Sequence, residues 1–261
     1  MLNRKNSIKY GLKIWSTDKE ELFKEAAQLF CNKEIDFVEL YIVPDSLLPG
    51  KADVLSYLRN VPTTIHAPHS AHDFDVFKLD ASKVKFFKNQ IVKTADLLAS
   101  KFIVLHAEAG DSQELFRKNI EKIKDSRILI ENMTKIGINN EIHFGYSCSQ
   151  LKFIRDCGFS LCLDFSHAIK SAISQNLNYK EFVKELVSEL DPSYFHICNG
   201  KIDNEIDEHR DLFDGEFDLK WIKETLLRSG EKKDIYLVFE TPKEENGLGN
   251  DLQNMNYFRS I

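Results

Sequence analysis

Six short apolar runs in this 261-residue chain each end on a side chain that can bind a metal ion or move a proton. These strand-end residues are His66, His106, Glu131, Asp164, His196 and Glu240. One polar residue after a buried run is ordinary, but the same placement six times indicates a shared site. Imidazole and carboxylate groups without a thiolate suit Zn²⁺, Mn²⁺ or Fe²⁺.

Three further residues extend this set. His167 lies three positions after Asp164, and Asp207 and His209 lie between the last two runs, which brings the set to five imidazoles and four carboxylates. Burying unpaired carboxylates costs several kcal/mol each, so one pocket can hold all nine groups only around cations. Because a zinc ion takes about four or five donors, the sequence predicts two or three ions, with Glu131 available as a bridge.

The segments that must position these residues alternate along the chain. Short β-branched or apolar runs are followed by longer amphipathic stretches, which is the pattern of repeated βα units around a parallel sheet. The predicted strands are 9–15, 36–42, 63–66, 102–106, 128–131, 160–164, 194–197 and 235–240. The predicted helices include 18–30, with a Thr17 cap, and 82–98, 113–123, 149–157, 179–190 and 219–227.

Eight such units in about 260 residues predict an α/β fold, a single (β/α)₈ TIM barrel over residues 1–261. Its core would span about residues 9–242, and the tail 248–261 would cover the barrel or contact another subunit. The carboxyl ends of barrel strands meet at one face, so the strand-end residues would converge there. The alternative is an open, doubly wound sheet, but no glycine-rich nucleotide-binding fingerprint follows an early strand.

Composition excludes several classes of protein. Hydrophobic residues make up 43% and charged residues 29% of the chain, as in a globular protein. No apolar run is long enough for a membrane helix or a signal peptide, which predicts a cytoplasmic protein without membrane contact. The net charge of −6 indicates no overall preference for nucleic acid. Five cysteines without a C-x-x-C pair predict buried thiols rather than disulfides.

The order of short motifs resembles the endonuclease IV branch, AP endonuclease family 2, of the xylose isomerase-like TIM barrel superfamily. These motifs are His66-Ala67-Pro68, Leu105-His106-Ala107, Ile130-Glu131-Asn132, Leu163-Asp164-Phe165-Ser166-His167-Ala168, Phe195-His196-Ile197-Cys198-Asn199, Asp207-Glu208-His209 and Phe239-Glu240-Thr241. Each motif is short and weak alone, but their common order and spacing over nearly the whole chain make the resemblance specific.

The resemblance implies a metal-dependent hydrolase that cleaves a phosphate ester with metal-activated hydroxide. The nine residues would bind three zinc ions, and Glu131, Asp164 and Glu240 are also predicted to be catalytic. The family's named substrate is abasic-site DNA, which would make the protein a DNA repair enzyme; a smaller phosphorylated sugar or nucleotide is the other predicted substrate. The loop after the second strand reads Tyr41-Ile42-Val43-Pro44-Asp45-Ser46, without the family's DNA-inserting side chains.

The sugar isomerases and epimerases of the same superfamily suggest an alternative function. They generally bind one divalent ion, such as Mn²⁺ or Co²⁺, through four residues, which here would be Glu131, Asp164, His196 and Glu240. The two glutamates would then move a proton at the carbon beside a carbonyl group. That site has no use for the additional ligands, so their presence favours the hydrolase. A metal-binding barrel without catalytic activity is a third interpretation.

Several polar residues are not assigned to the site. The histidines that lack the strand-end pattern are His69, His72 and His143. Glu108 is predicted to be a solvated loop carboxylate. Lys9 and Lys13 in the first strand could point toward the site or toward the opposite end of the barrel, and alternation alone does not distinguish these directions.

Overall fold

The computed structural model of the protein describes residues 8–47, 52–231, 233–244 and 247–261. In this part of the chain, eight parallel strands form a closed barrel in chain order, and the last strand pairs with the first. The strands are β1 (Ile8–Trp15), β2 (Phe37–Tyr41), β3 (Thr63–His66), β4 (Ile103–His106), β5 (Ile128–Glu131), β6 (Ser160–Asp164), β7 (Tyr194–Ile197) and β8 (Ile235–Phe239). The predicted TIM barrel is therefore confirmed, and the open sheet is excluded. Residues 1–7 of the predicted domain lie outside the described residues.

Helices surround this barrel. They are α1 (Glu20–Cys31), α2 (Ala81–Phe86), α3 (Lys93–Leu97), α4 (Gln113–Ile120), α5 (Cys148–Asp156), α6 (Phe165–Ser174), α7 (Tyr179–Leu190), α8 (Leu219–Ser229) and α9 (Gly249–Ser260). A π-helical segment, Phe87–Val92, joins α2 to α3. None of the described helices is long and apolar enough to cross a bilayer.

Two helix predictions were wrong in detail. The first helix begins at Glu20 after Lys19, which provides no side-chain cap, so the predicted Thr17 cap is absent. The preceding turn is closed instead by Asp18, whose carboxylate accepts a hydrogen bond from the Trp15 backbone at 2.7 Å. Helix α6 was not predicted because it follows β6 without a connecting loop.

The apolar core has two layers. The larger layer lies between the strands and the surrounding helices, and a smaller one fills the barrel interior. The buried interior residues are Phe37, Val104, Leu129, Cys162, Tyr194 and Val238. Gly11 on β1 makes room for Phe37, because a Cβ atom at this position would lie 2.4 Å from the phenyl ring. Since strands buried on both faces read as continuous apolar runs, the few polar residues at their ends stand out.

The C-terminal tail and the cysteines test two further predictions. Helix α9 buries Met255 and Phe258, and the Phe258 ring lies 5.9 Å from that of Phe239 on β8, so the tail covers the barrel. The prediction of buried thiols was wrong for Cys31, which is exposed on α1. All five cysteines are free thiols, and only Cys162 and Cys198 are fully buried.

Candidate metal centre

The nine predicted ligands come together at the carboxyl-terminal end of the barrel. Three groups together contain all nine, and in each of them one ligand atom per residue lies within 4.8 Å of the others. These groups are His66, His106 and Glu131; Glu131, Asp164, His196 and Glu240; and His167, Asp207 and His209. Two overlapping groups add Glu39, beside His66, His196 and Glu240, and Cys162, beside Glu131 and His196. Glu131 belongs to two of the three groups, as expected of a bridging carboxylate. That the nine residues bind metal stays a prediction.

The two carboxylate oxygens of Glu131 face different groups. Its Oε2 lies 3.3 Å from His66 Nε2 and 3.2 Å from His106 Nε2. Its Oε1 lies 3.2 Å from Nδ1 of His196, whose Nδ1 is also 3.1 Å from Oε1 of Glu240. One oxygen therefore serves each side, which is the geometry that a carboxylate between two cations requires.

Backbone carbonyls fix the orientation of three imidazoles. His66 Nδ1 donates to the carbonyl of Ala67 at 2.7 Å, His167 Nδ1 donates to that of Asn132 at 2.8 Å, and His209 Nδ1 donates to that of Glu240 at 2.9 Å. Because a carbonyl only accepts hydrogen bonds, each Nδ1 carries the hydrogen and leaves Nε2 for a cation. In His167 and His209, Nε2 faces Asp207 Oδ2, at 3.7 Å and 2.7 Å.

Asp164 is oriented by the start of α6. Its Oδ1 accepts a hydrogen bond from the backbone N–H of His167 at 2.7 Å and so caps the helix. The Asn132 side chain accepts from the Asp164 backbone N–H at 2.7 Å and donates to its carbonyl at 3.0 Å. The second carboxylate oxygen, Oδ2, is left facing the site.

Five buried polar atoms of this cluster lack a well-directed hydrogen bond among the described residues. They are Glu39 Oε1, His66 Nε2, Glu131 Oε2, Asp164 Oδ2 and Asp207 Oδ2. Proteins rarely leave buried polar atoms unsatisfied, and a concentration of acceptors is what a divalent cation needs. The donor set, all imidazole and carboxylate, therefore fits two or three divalent ions.

The electrostatics of the cluster depend on burial and on close opposite charges. Burial lowers the pKa of His106 to about 4, against the opposing effect of Glu131. Burial raises the pKa of Asp164 to about 6, although His167 favours its ionised form. Burial also lowers the pKa of His167, but the charges of Asp164, Asp207 and Glu131 outweigh it and raise this pKa to about 9. Without a cation the site therefore holds protons that metal binding must displace.

Sequence reasoning missed Glu39, a fully buried residue of β2. Its Oε2 accepts hydrogen bonds from His196 Nε2 at 3.0 Å and from the Tyr194 hydroxyl at 2.8 Å. The first of these bonds leaves Nδ1 of His196 to face the ligand group. Burial raises the pKa of Glu39, but His196 and Lys13 together outweigh it and bring it to about 2. Glu39 lies mid-strand, where the strand-end pattern gives no signal; a lone carboxylate in an apolar strand could have revealed it.

Lys13 on β1 points into the site, which settles the direction that alternation left open. Its Nζ lies 2.5 Å from Glu240 Oε1 and 3.4 Å from Glu39 Oε1. Desolvation opposes the ammonium form, but the charges of Glu240, Glu39 and Glu131 outweigh it and raise the Lys13 pKa above its usual value. Lys13 is therefore a fixed positive charge beside the predicted ligands.

Two other assignments need correction. Glu108 is 2% exposed, not solvated; its Oε1 accepts from the Ser70 N–H at 3.1 Å, and burial raises its pKa to about 7. A positive φ of 67° at Glu108 turns its side chain inward, where Oε1 lies 3.7 Å from His106 Nδ1.

His69 belongs to the site as well, since its ring stacks on that of His106 at 5.2 Å. His143, in contrast, bonds Thr134 away from the three groups.

A cavity of about 270 Å³ opens above the ligands. Its lining combines predicted ligands with Lys13, Trp15, Tyr41, His69, Thr241 and Lys243. The rings of Trp15 and Tyr41 lie 4.9 Å apart and form one wall. This volume is near the lower end of the range for small-molecule sites, about 300–1,000 Å³, so the cavity suits a small polar ligand with one apolar face.

Comparisons with known proteins agree with this architecture. A family model described as a xylose isomerase-like TIM barrel matches residues 35–261. No curated protein sequence matches the chain. Among solved structures, the 3-keto-D-glucoside 4-epimerase YcjR from E. coli is 14% identical, with a TM-score of 0.68 and coverage of 98% of this chain and 100% of that one.

Two other solved structures are similar to a comparable degree. The structure called AsfvAP:AG is 15% identical, with a TM-score of 0.65 and coverage of 97% of this chain and 98% of that one. A xylose isomerase domain containing protein from Salmonella typhimurium LT2 is also 15% identical, with a TM-score of 0.63 and coverage of 100% and 98%. Likeness at these identities establishes the fold.

Proposed function

Because the chain belongs to the xylose isomerase-like TIM barrel family, we propose that it is a metal-dependent hydrolase of small phosphate esters. The observation that supports this proposal is the third ligand group, His167, Asp207 and His209, beside the two groups that share Glu131. A site for one cation has no use for these residues. Three adjacent cation sites suit phosphate-ester hydrolysis, in which charge develops on several oxygens at once.

The ions would be held by the nine predicted ligands, with zinc favoured by their imidazole-rich composition. When bound, such ions lower the pKa of water and neutralise the charge on phosphate oxygens. Among the three predicted catalytic carboxylates, Glu240 borders the cavity, and this position supports a role for Glu240 in proton exchange with a substrate. Catalytic roles for Glu131 and Asp164 stay predictions.

The lining of the cavity supports a phosphorylated sugar or nucleotide rather than abasic DNA. The wall of Trp15 and Tyr41 can pack against the apolar face of a sugar ring, and a second cavity of about 460 Å³ shares Lys13, Trp15 and Lys243 with the first. Drawing an abasic nucleotide out of a duplex costs a few kcal/mol, which inserted side chains must offset. Residues 42–46, which directly follow β2, include no arginine, glutamine or bulky aromatic residue for this purpose.

A second candidate function is a divalent-metal sugar isomerase or epimerase. It is supported by the compact group of Glu131, Asp164, His196 and Glu240, whose two glutamates could move a proton at a substrate carbon. The overall likeness to the epimerase YcjR is consistent with this candidate, although it extends to the fold alone. The two candidates differ in how many cations the site must hold.

Metal content and substrate scope test the proposal together. We expect purified protein to contain two to three equivalents of zinc and to hydrolyse p-nitrophenyl phosphate or its diester faster than it cleaves an abasic duplex. His209→Ala should remove about one equivalent of metal and at least 90% of the activity, because it disrupts the third group. His143→Ala, which removes a buried histidine outside the groups, is the matched control and should keep both.

One equivalent of manganese or cobalt, without hydrolysis of any ester, would contradict the hydrolase. Exchange of a carbon-bound substrate proton with solvent, measured over a panel of ketoses and ketose phosphates, would then identify the isomerase. Glu131→Gln and Glu240→Gln should each stop such exchange.

A further inference from the structure

We propose that Lys13 binds the anionic phosphoryl group of the substrate and that Glu39 holds Lys13 in place for this task. This inference rests on the proposed function and adds a substrate-binding pair that lies outside the predicted ligand set. The pair comes from β1 and β2, the two strands that contribute none of the nine ligands.

The two side chains are neighbours by strand register. Lys13 pairs with Glu39 in the β1–β2 ladder, so both project into the barrel at the same level. Glu39 is anchored in turn by Tyr194, whose hydroxyl donates to Glu39 Oε2 and contacts Thr64 Oγ1 at 2.6 Å. These contacts fix the carboxylate, and the carboxylate restricts the position of the lysine ammonium.

The position of the ammonium makes it available to a ligand. The Lys13 side chain is 10% exposed, and the residue lines the cavity together with Tyr41 and Glu240. An ammonium has three donors, and the hydrogen bond to Glu240 uses one of them, whereas the 3.4 Å contact with Glu39 is an ion pair without a well-directed hydrogen bond. Donors therefore remain for an oxyanion in the cavity, next to the space that the ligand groups surround.

Charge complementarity indicates which ligand this donor suits. Glu39 balances Lys13, so the pair adds no net charge to the site, but it places the positive end toward the cavity and the negative end in the barrel interior. Hydrogen bonds between a charged donor and an anionic oxygen are about twice as strong as neutral ones. A phosphoryl oxygen fits this arrangement, whereas an uncharged sugar hydroxyl gains less from it.

A purely structural role for Lys13 leads to a different expectation. If the ammonium only compensated the charges of Glu39 and Glu240, its removal would change metal content or folding without a specific effect on phosphate binding. The decisive measurement is therefore the affinity of metal-loaded protein for inorganic phosphate, by titration calorimetry and by competitive inhibition, alongside the number of bound metal ions.

The variants are Lys13→Met, Lys13→Arg and the double variant Lys13→Met with Glu39→Gln, which avoids leaving a buried carboxylate without its partner. Lys9→Met is the matched control, because Lys9 lies on the same face of β1, four residues before Lys13 and away from the cavity. We expect both Met variants to keep their metal and to bind phosphate about ten- to a hundredfold more weakly than wild type. Lys13→Arg should recover part of the affinity, and Lys9→Met should equal wild type.

The possible failures are distinguishable. Phosphate affinity of metal-loaded Lys13→Met within twofold of wild type would overturn this inference while leaving the hydrolase intact. Loss of metal from Lys13→Met would assign Lys13 to the structure of the centre and would also overturn it. Wild-type protein with full metal content that neither binds phosphate nor hydrolyses an ester would overturn the proposed function, and this inference with it.

Discussion

Individual side chains in the site are fixed by partners that lie outside it. The imidazoles of His66, His167 and His209 donate to backbone carbonyls, and His196 donates to Glu39, so each ring presents one chosen nitrogen to the ligand groups. An imidazole that must select a tautomer on binding a cation loses affinity, and these bonds make that selection in advance. These hydrogen bonds therefore orient the imidazoles of the site before any ligand binds.

The reactivity of two cysteines outside the site tests the effect of burial on the pKa of a single thiol. Burial raises the pKa of the half-buried Cys148 to about 11, and a hydrogen bond with Glu185 adds to the effect. At pH 8 about one Cys148 side chain in a thousand is then a thiolate, which is the reactive form. Iodoacetamide at pH 8 should therefore modify the exposed Cys31 first, and Cys148 should react faster as the pH rises toward 11.

Peptide mass spectrometry over time measures both rates, and Cys31→Ser should remove the fast phase. Equal rates for the two cysteines at pH 8 would contradict this description.

At the scale of elements, the loop between β7 and α8 carries Asp207 and His209 and is tied down from two sides. The fully buried Lys170 of α6 donates to the Lys201 carbonyl at 2.7 Å and to Glu208 Oε2 at 2.8 Å, directly between the two ligands. On the other side, the Asn254 amide of α9 donates to Asp211 at 2.8 Å and accepts from the Leu212 N–H at 2.6 Å. The C-terminal helix is thus part of the support of the third ligand group.

Lys170→Met should release this loop. The variant removes the buried ammonium from the pair, so Glu208 keeps only its bonds to the Lys201 N–H and to Arg210 and holds Asp207 and His209 less firmly. We expect the variant to lose about one equivalent of metal while keeping the rest, as measured by elemental analysis and thermal unfolding. Lys180→Met, which removes an ion pair with Asp218 on the surface, is the control. Unchanged metal content in Lys170→Met would show that the loop holds its shape without this contact.

The accuracy with which the sequence predicted the strands and loops differs from one element to another. Strands β3, β5, β6 and β7 were predicted to the residue, because a polar residue or a turn follows each apolar run directly. The inward direction of Glu108 could not be predicted, since it depends on a positive φ that the sequence does not encode visibly. The contact between Glu39 and Lys13 could not be predicted, because it depends on the strand register of the closed barrel.

At the scale of the whole molecule, the site gathers negative charge in a small volume. Four predicted ligand carboxylates and Glu39 lie close together, and the positive charges beside them are those of Lys13 and of the histidines whose pKa is raised, among them His167. Like charges held together oppose folding unless cations balance them. The folded state alone assembles this arrangement, so bound metal stabilises it by mass action.

Removal of metal should therefore lower the thermal stability of the protein. A ligand at a free concentration of 100 times its Kd stabilises the folded state by about 2.7 kcal/mol per site. For a chain of this size we expect chelation to lower Tm by about 5–10 °C for each site that it empties, and added zinc to restore it. Differential scanning calorimetry with and without chelator measures this shift, and His209→Ala should show a smaller one. An identical Tm in both conditions would indicate that no structural cation is present.

The strand order has a consequence for the synthesis of this protein. The predicted ligands begin on β3 and end just after β8, and the barrel closes only when β8 pairs with β1. A nascent chain on the ribosome therefore lacks a complete centre until its last strand has emerged and found its first.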